Sequence, residues 1–358
     1  MASERQLSYA EALREAFVIA LSRDPRVFLI GEGVPDPKGI FATTSGLAEQ
    51  FGAQRVRDMP LSENGMTGIC IGAALAGMRP VLMHQRLDFA LLSLDQIINH
   101  AAKWRYMFAG RAHVPLVIRL IIGRGWGQGP QHAQALVALF AQIPGLKVVT
   151  PATPYDARAL MLAAIADADP TIYIEHRWLH NIRDTVPEAV AIEPLQGGRV
   201  ARQGQDITVV TYSYMLLEVH AAAAALAVAG VAVEVIDLRV IRPLDVALIV
   251  ASVTKCGHLL VVDTGHGDFG VAAEVIAAVT IAAFTALQSA PARLGLPPHP
   301  CPTAPALSRD YYPDAAAVVT AIAQQLVLPQ AVQQQALSLL QRGDHPHDTP
   351  YRGFNGPF

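Results

Sequence analysis

A repeated alternation of short apolar segments with helical segments constrains the fold of this chain more than any other feature. In the first half, five apolar segments with the length of strands occur at residues 27–30, 80–84, 115–122, 146–150 and 171–175. Ser8 and Glu11 have the spacing of a capping box at a helix start. Thr153 followed by Pro154 is a second helix start. Strands that alternate with helices form parallel sheets, so we predict an α/β fold.

A second, shorter alternation follows a region that is rich in proline and glycine. Apolar segments at residues 207–212, 231–236 and 259–263 are separated by predicted helices. The predicted domains are residues 1–190, a linker at 191–206, a smaller α/β domain at 207–328, and a tail at 329–358. The tail ends in an extended aromatic segment, which is either disordered or docks on a partner subunit.

Composition limits the kinds of protein that this chain can be. Of its 358 residues, 52% are hydrophobic and only 16% are charged, which predicts large buried subunit interfaces. The net charge of −3 offers no basic surface for nucleic acid or for an anionic membrane. The first residues lack the apolar core of a signal peptide, and the longest apolar runs contain polar residues. We therefore predict a cytoplasmic protein that binds neither nucleic acid nor membrane.

A carboxylate stands directly before a strongly apolar, glycine-spaced segment. Glu63 lies in the short polar stretch that begins at Pro60, and residues 69–77 are almost entirely apolar. Partial dehydration beside such a segment makes a carboxyl a usable proton carrier near neutral pH. The alternative is a structural carboxylate that bonds the backbone N–H groups of a helix start. Both interpretations stay open on this segment alone.

Eight motifs follow one another in a fixed order. In one-letter code they are FLIGEG, PLSENG, HQRLDF, LDQIIN with AAKWRYMF, VPLVIR, GRGWGQGPQHAQ, PGLKVVTPATPYDA and DPTIYIEH, between residues 28 and 176. EVIDLRVIRPLD follows at residues 234–245, so the motifs span roughly three-fifths of the chain. This series resembles the β subunit of the E1 component of thiamine-diphosphate-dependent 2-oxo acid dehydrogenases. That family includes the pyruvate, branched-chain 2-oxo acid and acetoin dehydrogenases.

The resemblance implies a pyrimidine-type, thiamine-diphosphate-binding parallel-sheet domain and a smaller transketolase C-terminal-like α/β domain. In such enzymes a carboxyl beside N1′ of the aminopyrimidine exchanges the proton that leads to activation of thiazolium C2. Glu63 stands at the matching position. Phe89 matches the aromatic face against the pyrimidine, and Gln85 and Glu32 are expected beside the cofactor. His132 matches the histidine that faces the substrate and assists acyl transfer to a lipoyl group.

Two departures from the family pattern bear on the site. Ala133 stands where the family commonly has serine, so the resemblance implies the loss of a local hydrogen bond. The sequence also lacks the G-D-G segment through which Mg²⁺ and the diphosphate are bound. The resemblance therefore implies that an α subunit supplies this half of the site and its Mg²⁺, in an α2β2 assembly. The expected acyl acceptor is a lipoyl-bearing or other carrier protein.

The resemblance also implies a structural potassium ion where a helix-to-strand turn meets the strand near residue 116. Oxygen ligands suit such a cation. The expected ligand residues are Val114, Leu116, Val117, Ala164, Asp167 and Asp169. A solvated turn with a cap is the structural alternative for the two aspartates.

Three other functions fit parts of the sequence. A transketolase-like enzyme would use the same cofactor to move a two-carbon ketol unit from a ketose phosphate to a carrier protein. A non-catalytic subunit that only stabilises a partner is disfavoured, because both Glu63 and His132 are present. Residues 265–270 satisfy G-x-G-x-x-G, but the acidic residue that a nicotinamide site needs further along is missing. For this segment we prefer a strand-to-helix turn.

Overall fold

The structure is a computed structural model, and it describes residues 4–124, 128–308, 310–340, 350 and 354. Its strands are β1 (Glu4–Ser8), β2 (Val27–Gly31), β3 (Val56–Arg57), β4 (Arg79–Met83), β5 (Val117–Ile122), β6 (Lys147–Val149), β7 (Thr171–His176), β8 (Arg183–Pro187), β9 (Arg199–Arg202), β10 (Ile207–Thr211), β11 (Val233–Asp237), β12 (Val240–Arg242), β13 (Leu259–His266) and β14 (Ala292–Leu296).

Its α-helices are α1 (Tyr9–Arg23), α2 (Leu47–Phe51), α3 (Glu63–Leu75), α4 (Leu87–Ala90), α5 (Ala102–Met107), α6 (Val137–Ala141), α7 (Pro154–Ala166), α8 (Met215–Val228), α9 (Val246–Cys256), α10 (Val271–Ala283), α11 (Pro305–Ser308), α12 (Ala315–Gln325) and α13 (Gln330–Leu339). A π-helix at Gln96–Ala101 leads into α5. Short 3₁₀ turns lie at Leu91–Ser93, Arg177–Leu179 and Phe284–Ala286.

Seven strands form the larger sheet, in the spatial order β12-β6-β7-β5-β4-β2-β3. Every neighbouring pair is parallel except β12 with β6. β2, β5 and β7 are buried along their whole length, because apolar clusters cover both faces of the sheet. The carboxyl ends of β2, β3, β4, β5 and β7 therefore meet at one edge, which is where open parallel sheets bind their ligands.

A five-stranded sheet in the order β14-β13-β10-β11-β9 forms the second α/β unit. Its strands are parallel except β9, which pairs antiparallel with β11 at the edge. The helices α8, α9, α10 and α12 pack against these strands or against one another. Both units thus have the parallel α/β architecture that the sequence predicts.

The hydrogen bonds at two predicted helix starts confirm those predictions. The hydroxyl of Ser8 accepts a hydrogen bond from the N–H of Glu11 at 3.1 Å, and the Glu11 carboxylate accepts from the N–H of Ser8 at 2.7 Å. At the start of α7, Oγ1 of Thr153 accepts from the N–H of Asp156 at 3.1 Å, with Pro154 in the first turn. These caps satisfy N–H groups that have no partner inside their helices.

Among the strands that the sequence pattern does not predict, β9 and β12 complete the edges of the two larger sheets. β9 occupies part of the segment 191–206, which we predict as a linker, so that segment includes a strand of the second sheet. β12 lies within residues 207–328, yet it pairs with β6 of the larger sheet. Both strands cover a sheet edge, where pairing satisfies backbone N–H and C=O groups. The two α/β units are therefore joined by backbone pairing as well as by side chains.

Two residues after α13, Pro350 and Phe354, contact the rest of the chain. The hydroxyl of Tyr214 donates to the backbone oxygen of Pro350 at 3.4 Å. The guanidinium carbon of Arg177 lies 5.2 Å from the ring centroid of Phe354. The remainder of the predicted aromatic tail lies outside the described residues. None of the helices in the described ranges combines the length and the apolarity that crossing a membrane requires.

Candidate active site

Three carboxylates meet at the carboxyl edge of the larger sheet. Glu32 follows β2, Asp58 follows β3, and Glu63 begins α3. Burial raises the pKa of Glu32, and the nearby charges of Glu63 and Asp58 raise it further. Oδ1 of Asp58 accepts from the N–H groups of Gly33 at 3.0 Å and Met59 at 2.9 Å, which fixes this carboxylate in its loop. Burial and repulsion from its two neighbours thus favour the protonated form of Glu32.

Glu63 is partly buried at the start of α3, with its carboxylate available to a ligand. Among the described residues, that carboxylate accepts no hydrogen bond, and the preceding Ser62 gives no side-chain cap. The buried side of α3 packs Cys70 and Ile71 into the core beneath the sheet edge. The structural alternative, a carboxylate bonded to helix-start N–H groups, therefore has no support in this geometry.

The segment after β4 joins two of the predicted cofactor neighbours. Nε2 of Gln85 donates to the backbone oxygen of Glu32 at 3.0 Å, so the turns after β2 and β4 are in contact. His84 is buried, which lowers its pKa to about 4, and its Nε2 has no partner in the described part of the chain. Phe89 follows in α4 and is partly buried. The turn after β4 thus presents an amide, a neutral imidazole and a ring at the carboxyl edge.

The rings of His132 and Phe89 make a T-shaped contact. The two ring centroids are 5.5 Å apart and the planes meet at 88°. Beside this contact, Nε2 of Gln134 donates to Oδ1 of Asp88 at 2.8 Å, while Oδ2 of Asp88 is buried without a partner among the described residues. Ala133 is 2% exposed, so this position is enclosed by protein. The structure thus brings together Phe89 and His132, which stand in separate motifs.

A buried arginine that the sequence does not single out joins these two segments. Arg86 is the residue before α4, and its Nη1 donates to the backbone oxygen of Gly123 at 2.6 Å. Its Nη2 donates to Oε1 of Gln128 at 2.5 Å. Burial lowers the pKa of Arg86 to about 10, and the guanidinium lies over the ring of Phe41. Arg86 therefore links Gly123 and Gln128, which lie between β5 and His132, to the helix that carries Phe89.

The aspartates predicted as potassium ligands are already engaged by cationic side chains. Asp167 pairs with Lys147, and Asp169 pairs with Arg105 and lies 3.4 Å from His113. A guanidinium nitrogen of Arg79 donates to the backbone oxygens of Ile165 at 2.7 Å and Asp167 at 2.9 Å. An added cation at this turn would share these oxygens with protein cations.

The other predicted potassium ligands are buried near the same turn. They are Val114, Leu116, Val117 and Ala164. The backbone oxygens of Val114 and Leu116 accept hydrogen bonds from the N–H groups of Leu116 at 2.8 Å and Thr171 at 2.9 Å. The potassium site stays a prediction.

The G-x-G-x-x-G segment forms the tight connection from β13 to α10. Oδ2 of Asp263 accepts from the N–H of Ala272 at 2.8 Å, and its Oδ1 accepts from the N–H of Gly265 at 2.8 Å. A Cβ at Gly270 would lie 2.6 Å from Oδ2 of Asp263, so the turn closes directly on this carboxylate. A protein carboxylate thus fills the helix N-terminus where a dinucleotide would place its pyrophosphate. This geometry supports a structural turn.

The described residues fit the aminopyrimidine end of thiamine diphosphate. Glu63 offers an unbonded carboxylate and Phe89 an aromatic ring, both at the carboxyl edge. The orphaned polar atoms of His84 and Asp88 are buried beside the same segment. Within the described ranges no group of three or more His, Cys, Asp or Glu side chains is arranged to hold a metal ion. The fit therefore concerns the pyrimidine end alone.

Comparison with protein families matches both α/β units. The family described as "Transketolase, pyrimidine binding domain" matches residues 5–181. The family described as "Transketolase, C-terminal domain" matches residues 197–318. Together these matches cover both sheets and the elements that carry Glu63, Phe89 and His132.

Curated relatives and a solved structure resemble the chain over most of its length. Acetoin:2,6-dichlorophenolindophenol oxidoreductase subunit beta from Cupriavidus necator is 41% identical over 328 residues, which is 88% of this chain and 96% of that protein. The mitochondrial pyruvate dehydrogenase E1 component subunit beta-1 from Arabidopsis thaliana is 39% identical over 324 residues, 89% of each chain. A split gene transketolase, solved as an inactive beta4 tetramer, has a TM-score of 0.74 at 22% identity. It covers 90% of this chain and 99% of its own, and shows the shared fold.

Proposed function

Because this chain belongs to the family of E1 β subunits of 2-oxo acid dehydrogenases, we propose that it forms the pyrimidine-binding half of a thiamine-diphosphate enzyme. With an α subunit, in an α2β2 assembly, it would decarboxylate a 2-oxo acid and pass the acyl unit to a lipoyl group of a carrier protein. The contact between Phe89 and His132 carries this proposal. It joins the proposed aromatic wall of the pyrimidine slot to the proposed acyl-transfer histidine.

The proposed reaction balances without a further oxidant, because the lipoyl disulfide accepts the two electrons. The bond between the carbonyl carbon and the carboxylate breaks, and CO₂ leaves. A carbon–sulfur bond forms as the sulfur–sulfur bond breaks, and the second sulfur takes up one proton. Thiamine diphosphate, when bound, supplies the nucleophilic carbon and the electron sink that this cleavage needs.

Three side chains of this subunit have separate roles in the proposal. Glu63 exchanges a proton with the aminopyrimidine, since its carboxylate accepts no hydrogen bond from the described residues and stands beside two other carboxylates. Phe89 packs on the pyrimidine and excludes water from that face. His132 donates the proton that the second lipoyl sulfur takes up, since imidazole exchanges protons readily near neutral pH. Mg²⁺ and the diphosphate are held by the α subunit.

We place the α subunit on the apolar surface around α3. Leu61 is 82% exposed, Ile69 is 60% exposed and Leu92 is 63% exposed. Large apolar side chains grouped on a surface mark an interface with another protein. Leu61 stands two residues before Glu63, so a subunit bound here would shield the Glu63 carboxylate from water. The same subunit would bring the missing diphosphate half of the site to the carboxyl edge.

The proposal is tested by reconstituting the chain with its α subunit and measuring acylation of a lipoyl carrier. Glu63→Gln should lower this turnover at least about a hundredfold, because a general acid–base group contributes roughly 10²- to 10⁴-fold. The matched control is Glu49→Gln, which changes an exposed glutamate in the first turn of α2. Full activity of the Glu63→Gln enzyme would contradict the proposal.

The same assay identifies the substrate class. Pyruvate, a branched-chain 2-oxo acid and acetoin are compared with a ketose phosphate as donors, because the relatives are named for pyruvate and acetoin. Acyl transfer from a 2-oxo acid supports the proposal. Transfer from the ketose phosphate alone would favour the transketolase-like alternative. The cytoplasmic location is part of the proposal and is tested by fractionating cells.

A further inference from the structure

We propose that Arg124 is a positioning residue that ties the loop of His132, of which residues 123–124 and 128–132 are described, to the second α/β unit. Arg124 stands just beyond the end of β5 and is 2% exposed. Its Nη2 donates to the backbone oxygen of Thr303 at 2.7 Å, and its Nη1 donates to the hydroxyl of Ser308. Its Nε donates to the backbone oxygen of Gln128 at 3.2 Å. One guanidinium therefore joins the loop to α11 and to the turn before it.

The loop is held firmly on the side where it leaves β5. Nε1 of Trp178 donates to the backbone oxygen of Arg124 at 2.7 Å, and Arg86 holds the backbone oxygen of Gly123. Gly123 has a φ of +89°, and a Cβ there would lie 2.7 Å from Nε2 of His176. Because the backbone at Gly123 and Arg124 is fixed, the direction of the Arg124 side chain is fixed as well.

The far side of the loop rests on the same segment of the second unit. A Cβ at Gly129 would overlap the hydroxyl of Thr303, so the backbone of Gly129 lies directly on this residue. The N–H of His132 donates to the backbone oxygen of Gly129 at 3.2 Å. A short series of contacts thus runs from Thr303 through Gly129 to His132, whose ring meets Phe89.

The consequence is that the second α/β unit sets where the His132 imidazole stands. Loss of the Arg124 side chain would remove the links to Thr303, Ser308 and Gln128 at once. The backbone of Gly129 would then lose its fixed distance from Thr303, and the His132 ring would shift relative to the Phe89 ring. The hydrogen bonds that Arg124 makes within the described residues go to Gln128, Thr303 and Ser308, so Arg124 acts on His132 only through these partners. Its effect should therefore fall on the step that uses His132, and the residues that hold the pyrimidine should keep their places.

The inference rests on the proposed role of His132 and is tested in the full α2β2 enzyme with two assays. Oxidation of the 2-oxo acid by a small dye needs no lipoyl carrier, whereas acylation of the carrier needs His132. Arg124→Ala should lower carrier acylation on the order of tenfold to a hundredfold, as small misplacements of catalytic groups do. The dye-coupled rate should change less than about twofold. Arg124→Lys should recover part of the acylation rate, because one amine can replace one of the three links that the guanidinium makes.

A third readout does not depend on turnover. Hydrogen exchange of the amides in residues 128–136 should become at least about tenfold faster in Arg124→Ala and, to a smaller extent, in Ser308→Ala. Arg26→Ala is the control, because Arg26 pairs with Asp24 in a partly exposed ion pair far from the loop. Unchanged exchange in Arg124→Ala, or equal loss of both activities, would overturn the positioning role. An inactive wild-type enzyme would instead refute the proposed function, so the two failures are distinguishable.

Discussion

A methyl group at Gly123 should destabilise the protein through two separable terms. Gly123 has a φ of +89°, and an alanine in this region costs roughly 1–2 kcal/mol in backbone energy. Its Cβ would also lie 2.7 Å from Nε2 of His176, which is 3% exposed and enclosed by Trp178 and Tyr214. Overpacking of this kind costs about 1–3 kcal/mol more. Gly123→Ala should therefore lower the free energy of unfolding by about 2–5 kcal/mol.

Gly77 provides the matched control for this substitution. Its φ is +94°, and a Cβ there would have nothing within 4 Å, so Gly77→Ala includes the backbone term alone. Urea unfolding of the two variants and the wild type, followed by circular dichroism, gives both terms. Gly123→Ala should be less stable than Gly77→Ala by about 1–3 kcal/mol. Equal destabilisation of the two variants would refute the close approach of Gly123 to His176.

Three further predictions concern the pyrimidine, the buried histidines and the α subunit. Phe89→Leu should weaken thiamine diphosphate binding to the assembled enzyme by roughly 2- to 12-fold in calorimetry, because aromatic stacking contributes about 0.5–1.5 kcal/mol; an unchanged affinity would contradict the stacking role. Burial lowers the pKa of His84 and His180 to about 4 and of His176 to about 3, so the unfolded chain binds more protons below its histidine pKa of about 6.5. The free energy of unfolding from urea titrations should therefore be highest above pH 6.5 and fall steeply as the pH drops toward 4. A free energy of unfolding that does not change over this range would contradict the neutral buried imidazoles. Ile69→Asp should weaken association with the α subunit in sedimentation experiments and leave the melting temperature of the isolated chain unchanged. Association as strong as that of the wild type would show that the interface does not include Ile69.

The parallel α/β architecture could be predicted because its signals are local. β5 and β7 are buried on both faces, so most of their residues are apolar and the segments stand out from their surroundings, although each carries a buried charged residue, Arg119 or Glu175. The caps at Ser8 and Thr153 use partners three residues away, which a single sequence displays directly. The order of strands and helices follows from such patterns without knowledge of any distant contact.

The strands β9 and β12 could not be predicted in the same way. They have four and three residues, and their residues are less apolar than those of the central strands. Each pairs with a strand that is distant in the sequence, β9 with β11 and β12 with β6, so no local period marks them. Their formation depends on the exposed edges of β11 and β6, which exist only once the sheets are built.

Only part of the candidate site can be read from the sequence, for a similar reason. The roles predicted for Glu63, Phe89 and His132 rest on the resemblance of whole motifs to a family, since a lone acid, ring or imidazole carries little information. The sequence does not single out Arg86 and Arg124, because their partners stand far along the chain at Gly123 and Ser308. The sequence alone does not distinguish a buried arginine from an exposed one. Only the folded chain shows which arginines are enclosed and what they join.

The central claim is that this chain holds the pyrimidine end of thiamine diphosphate and needs an α subunit for the diphosphate end. Calorimetric titration of thiamine diphosphate with Mg²⁺ into the chain alone, and then into the chain mixed with its α subunit, tests this directly. We expect binding in the mixture and none to the isolated chain. Tight binding to the isolated chain, or no binding to the mixture, would contradict a site shared between the two subunits.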